Sequence, residues 1–127
     1  MAYRIQANRK NLSVSIHAIA NTGSIVVAGN NSVSNVAISD EVITGAYITQ
    51  IWAGSPSGNA AYWEIKRGSN TVMILDSTTY FDFAGCGNPI TLDSSAPLSA
   101  TLVNSVEGFI VIELQKEGTF ITEYLQN

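Results

Sequence analysis

The sequence predicts an all-β protein, an antiparallel β-sandwich or jelly roll of about nine to ten short strands. Three observations carry that reading. Apolar and polar residues alternate with period two through much of the chain, the periodicity of a half-buried strand. Gly, Asn, Ser and Pro interrupt the alternation every few residues, as turns do in all-β domains. No segment longer than one turn repeats its hydrophobes at helical spacing. The length of 127 residues suits one domain with its own core.

Taken in order, residues 12–19 put Leu12, Val14, Ile16 and Ala18 on one face and Ser13, Ser15 and His17 on the other. Short strands are expected over 24–28 and 33–38. Residues 41–52 form a longer strand in which Gly45 marks a bulge or bend. The Gly-, Ser- and Pro-containing stretch 53–59 is a loop. The clearest hairpin pairs 62–66 with 71–75 across Arg67-Gly68-Ser69-Asn70, a connection of about four residues. Trp63 and Ile65 share one of its faces, Glu64 and Lys66 the other. In 79–83, Phe81 and Phe83 oppose Tyr80 and Asp82. Residues 84–97 are a long non-strand stretch. Strands follow over 98–103 and 108–116, and the run Phe109-Ile110-Val111-Ile112 suggests a central strand buried on both faces. Glu117-Gly118 reads as a turn before a last strand over 119–125. Residues 1–11 are expected as a basic arm outside a single sandwich domain, 12–127.

Charged residues make up only 13% of the chain, and Ser, Thr, Asn and Gly take their place. Net charge is −4, which gives no global footprint for nucleic acid. The charges are unevenly placed. Arg4, Arg9 and Lys10 have no acid among residues 1–39, whereas all ten acids follow residue 39 with three bases. Such a basic segment on an acidic body suits docking on an acidic partner, a neighbouring copy or nucleic acid, or simply solvation of a chain end. Cys86 is the single cysteine, so no intrachain disulfide forms, as expected of a protein made in a reducing cytosol. The start Met1-Ala2-Tyr3-Arg4-Ile5-Gln6 has no apolar signal-peptide core, and no run reaches the roughly 18 apolar residues of a membrane helix.

The inventory of reactive groups points away from an enzyme. His17 is the single histidine, so a Ser–His–Asp triad has one base to draw on, in a regular strand pattern. One His and one Cys are too few for zinc within one chain. Glu64, Asp76, Asp82 and Asp93 offer the carboxylates that glycoside hydrolysis or calcium binding needs, but in no diagnostic spacing. Glycine patterns for phosphate or dinucleotide binding are absent. No catalytic residue, cofactor or metal is expected. Trp52, Tyr62 and Trp63 flank the 53–60 loop; exposed Trp52 and Tyr62 would suit stacking on sugar rings, against the simpler expectation that Trp52 and Trp63 are core, one per sheet.

The stretch Tyr62-Trp63-Glu64-Ile65-Lys66-Arg67-Gly68-Ser69-Asn70-Thr71-Val72-Met73-Ile74-Leu75 resembles a "Trp, alternating strand, Arg-Gly, apolar strand" pattern of small virion proteins of tailed bacteriophages. The likeness continues through Tyr80-Phe81-Asp82-Phe83-Ala84-Gly85-Cys86-Gly87 and residues 108–116, so it covers about 61–116 and none of 1–60. It implies a head decoration (cement) protein or another accessory structural protein. Such a protein assembles in the host cytoplasm and ends on the capsid surface. It contacts the major capsid protein as a homo-oligomer, a trimer or dimer, without nucleic acid or membrane. Arg4, Arg9 and Lys10 are then the candidate capsid or subunit interface. The alternative is a carbohydrate-binding or host-attachment module of a phage fibre or tail, with Trp52 and Tyr62 as glycan contacts.

Overall fold

The computed structural model describes residues 2–7, 11–18, 22–30, 34–83, 94–105 and 107–120. Among them are ten strands and no helix: β1 (Ala2–Ala7), β2 (Asn11–Ala18), β3 (Thr22–Ile25), β4 (Gly29–Asn30), β5 (Glu41–Ala53), β6 (Tyr62–Arg67), β7 (Asn70–Leu75), β8 (Thr79–Asp82), β9 (Leu98–Val103) and β10 (Gly108–Phe120). One sheet runs β1-β2-β10-β5-β4, with β8 also on the free side of β5; the other runs β3-β9-β6-β7. Every pairing is antiparallel.

The pairings nest. β2 pairs β10, β3 pairs β9, β5 pairs β8, and β6 pairs β7. The chain is thus one long antiparallel hairpin, tipped at β6–β7 and rolled into two layers by the further contacts β10–β5 and β9–β6. That is the eight-stranded jelly roll, with β1 added beside β2 and β4 beside β5. Both sheets contribute to one core: Val14, Ile43, Ile48, Ile51, Ile110, Ile112 and Leu114 from the first meet Ile25, Trp63, Ile65, Leu75, Leu98 and Leu102 from the second.

β5 explains why its sequence shows no clean alternation. Its buried hydrophobic side chains are Ile43, Ala46, Ile48, Ile51 and Ala53, spaced three, two, three and two apart. Its register against β10 skips Thr44 and Thr49, two bulges that each shift the phase by one residue. Each extra threonine turns its hydroxyl onto the opposing strand, Thr44 Oγ1 to Glu117 O at 3.1 Å and Thr49 Oγ1 to Glu113 O at 3.2 Å. Gly118 faces the first bulge, where a Cβ would stand 2.1 Å from Val42 O.

Several expectations are corrected. Residues 2–7 are not an arm outside the core: β1 pairs β2 from Ala2↔His17 to Ala7↔Leu12, and Ile5 and Ala7 pack on the core. Residues 34–38 are turn and coil, not strand. Ser34 Oγ donates to the Val26 and Val27 carbonyls and accepts from Val36 N, so a side chain replaces ladder bonds there. The β6–β7 connection is two residues, because the ladder extends to Arg67↔Asn70, and Gly68 takes the positive φ of 59° that a primed turn needs. Glu117-Gly118 is no turn; β10 runs through it to Phe120. β10 is central, but only one face is buried, since Phe109 is 46% exposed. Residues 121–125 and 84–93, Cys86 included, lie outside the described residues.

Three buried charged residues, Arg67, Glu41 and Lys116, fix backbone carbonyls and turns in place. Arg67, 1% exposed on β6, crosses to β5: Nη1 donates to Ala46 O at 2.7 Å, while Nε and Nη2 reach Ala96 O at 3.2 and 3.0 Å and Nη2 also reaches Ser94 O. Lys116 Nζ meets Glu41 Oε1 at 2.7 Å and Val36 O at 3.3 Å, and Glu41 Oε1 also accepts from Ile38 N at 3.1 Å. The pair thereby ties the 34–40 turn to the end of the β5–β10 ladder. Lys116→Met strands the Glu41 carboxylate inside, and urea unfolding should show a loss of about 3–5 kcal/mol. Adding Glu41→Leu should recover a large part of it; a double variant no better than the single would mean the pair is not what the turn depends on.

Candidate functional site

The outer face of the six-stranded sheet concentrates the exposed aromatic and polar groups. β10, β5 and β8 lie side by side there, and their register builds three rows. Val111↔Trp52↔Tyr80 form the middle row. Glu113↔Gln50↔Asp82 form the row on one side. On the other side, Gly54 N donates to Phe109 O at 3.1 Å, which aligns Phe109 with Gly54, and Thr78 precedes β8. Alternation along each strand turns these residues outward while Ile51, Ala53, Ile110 and Ile112 turn into the core.

The middle row is aromatic. Trp52 and Tyr80 stack with centroids 5.0 Å apart at 28°, and Tyr80 remains 52% exposed. The Tyr80 phenol is held above its ordinary 10.0 by desolvation first, then by the Asp82 charge, by a hydrogen bond to the Asp82 side chain and by the more distant Glu113. Phe109 lies over Gly54: a Cβ at that glycine would sit 2.3 Å from the ring's Cε1. A depression of about 390 Å³ opens beside the ring, lined by Gly54, Ser55, Ser57, Thr78, Glu107 and Gly108 together with Phe109 itself. Its walls are stitched together. Ser55 N donates to Thr78 Oγ1 at 3.3 Å, Ser57 N to Glu107 O at 3.2 Å, and Ser105 Oγ to Glu107 O at 2.8 Å.

The residues singled out from sequence do not assemble into one site. Trp52 is half-buried on this outer face, so it is not core; Trp63 is, with no exposed surface. Tyr62 alternates with Trp63 on β6 and so lies on the outer side of the opposite sheet, away from Trp52. A shared Trp52–Tyr62 sugar contact is therefore corrected: the 54–61 connection changes sheets and separates them. Arg4 is on edge strand β1 opposite Ser15, while Arg9 and Lys10 lie outside the described residues. His17 sits on β2 opposite Phe109 and Ala2. Glu64 accepts from Thr71 Oγ1 at 3.0 Å on the four-stranded sheet, Asp76 is exposed after β7, Asp82 is on the other sheet, and Asp93 is outside the described residues. Among the described residues no three of His, Cys, Asp and Glu come together. Among the described residues no helix is long and apolar enough to cross a membrane.

Sequence reasoning missed Phe109, Tyr80 and the depression. The alternation in 79–83 had put Tyr80 and Asp82 on one face, but not beside Trp52, because strand partners are not local information. Comparison with protein-family models, with curated proteins and with solved structures gives no match to this chain.

The Tyr80–Asp82 contact has a direct readout. Asp82→Asn removes the charge that opposes phenolate formation, so ultraviolet absorbance should show Tyr80 ionising at lower pH than in the unaltered chain, with Tyr80→Phe identifying its share of the signal. An unchanged titration would mean that Asp82 does not set the phenol's ionisation.

Proposed function

We propose that the chain is a virion structural protein, a capsid decoration protein that binds the outer shell and stabilises it, and that it is not an enzyme. The observation that carries the reading is the nested pairing of the strands. The jelly roll is an architecture shared by viral capsid proteins and lectins. That support is an analogy between folds, and sites rather than folds decide function. Two features of this chain add to it. Arg4 stands on β1, the edge strand of the larger sheet, at the basic end of an otherwise acidic chain. At the end of the other sheet, β7 carries six uncharged residues, and its Ile74 is 57% exposed. An edge of this kind invites pairing with a second chain, and closed symmetric oligomers match symmetric shell positions. Many copies then turn modest contacts into firm retention.

A second reading, carbohydrate binding, is favoured by the depression beside Phe109, since lectins use the same architecture.

Deleting residues 1–11 would remove β1 and part of the core packing, so charge reversal is the cleaner test of the first reading. The triple variant Arg4→Glu, Arg9→Glu, Lys10→Glu should stay folded and co-sediment with capsids about tenfold more weakly, or worse. Light scattering across a dilution series should give a stable dimer or trimer. Undiminished capsid binding by the triple variant would remove the basic edge from the interface.

A further inference from the structure

We propose that the depression beside Phe109 is a saccharide subsite, taking one neutral pyranose ring, and that it works independently of attachment to a shell. The depression combines one aromatic wall with a ring of hydroxyls and one carboxylate. Phe109 is 46% exposed, and its position is imposed by Gly54, whose missing side chain leaves room for the ring. An aromatic face carries negative charge density and attracts the weakly positive C–H groups that line one side of a pyranose. Around that wall, Ser55, Ser57 and Thr78 supply hydroxyls, each able both to donate and to accept, as sugar hydroxyls also require. Glu107 is the one charged residue of the lining, which holds no positive charge, and a carboxylate accepts only. This chemistry selects a neutral polyol over an anion.

The depression is also prepared in advance. The hydrogen bonds from Ser55 N to Thr78 and from Ser57 N to Glu107 O fix the walls relative to one another. Ordering costs on binding are correspondingly small. Its volume of about 390 Å³ lies at the small end of ligand sites.

The test is an amide-shift titration of the full chain with the methyl pyranosides of glucose, galactose, mannose and N-acetylglucosamine. Saturable shifts at Gly54, Ser55, Ser57 and Phe109 are expected with at least one of them. Phe109→Ala should weaken that binding about tenfold or more. Phe109→Tyr, which keeps the ring, should retain it, and so should Tyr62→Ala on the opposite sheet. Glu107→Gln should weaken it severalfold without altering the fold. No saturable shift with any of the four glycosides overturns the proposal. So does undiminished binding by Phe109→Ala, or shifts confined to Trp52 and Tyr80. None of these results bears on capsid attachment, which is read by co-sedimentation.

Discussion

The ladder between β5 and β10 is the interaction on which the remaining structure depends. It runs from Ile110↔Ala53 to Phe120↔Glu41, with both strands thirteen residues long. In a nested hairpin these two strands are far apart along the chain, so their pairing is what closes the roll. Such non-local pairing incurs its loop-closure entropy before the contacts form. A ladder of this length would twist strongly if it were regular. The bulges at Thr44 and Thr49 bend it, and the two threonine hydroxyls bond the Glu117 and Glu113 carbonyls that face the bulges. Gly118 is required for the same reason, because Val42 O occupies the place of its side chain.

Around this ladder, polar groups do work that apolar packing cannot. Arg67 issues from one sheet and bonds carbonyls of the other sheet and of the 94–96 turn. The Ser94 and Ala96 carbonyls belong to irregular backbone, and the Ala46 carbonyl lies on β5 between the stretches that pair with β4 and β8. The Glu41–Lys116 pair holds the 34–40 turn against the far end of the ladder in the same way. Buried ion pairs seldom stabilise more than a hydrophobic replacement would. Their effect here is geometric, since a guanidinium with fixed donors accepts one arrangement of carbonyls and rejects shifted ones. The outcome is a rigid two-layer body whose outer face has a single register.

The strands were legible where burial is one-sided and regular. Trp63, Ile65 and the alternation of 98–103 gave β6 and β9 nearly to the residue, and the local Gly68-Ser69 signal gave the hairpin. β5 was legible as a strand, and Gly45 as the neighbourhood of a bulge, but the two phase shifts made its faces unreadable. Glu117-Gly118 misled because its turn chemistry serves a bulge instead. β1 was mistaken for an arm because charge was weighed above the alternation of Tyr3, Ile5 and Ala7. The candidate site was legible only in pieces. Trp52, Tyr80 and Phe109 lie on three strands, and nothing local in the sequence says that β8, β5 and β10 are neighbours. Trp52 and Tyr62, close in sequence, are parted because the chain changes sheets between them.

The larger sheet also sets how the two proposed binding surfaces would coexist. In its order β1-β2-β10-β5-β8, Trp52 and Tyr80 stand three and four strands from the basic edge, while Phe109 on β10 stands two strands from it, in the row of His17 and Ala2. Four strand spacings of about 4.8 Å separate β1 from β8, roughly 19 Å in all. A body that sits on an acidic surface through the edge of β1 therefore keeps Tyr80 on β8 farthest from that surface. Phe109 and Tyr80 put exposed ring area on a face that also carries hydroxyls and amides. A ligand that is itself half apolar face and half hydroxyl rim answers to both kinds of surface. The depression offers them within one sugar ring's reach of each other. Under the two proposals, the edge of β1 would serve attachment and the outer face of β10 and its neighbours would serve recognition, so that one sheet carries both on different strands.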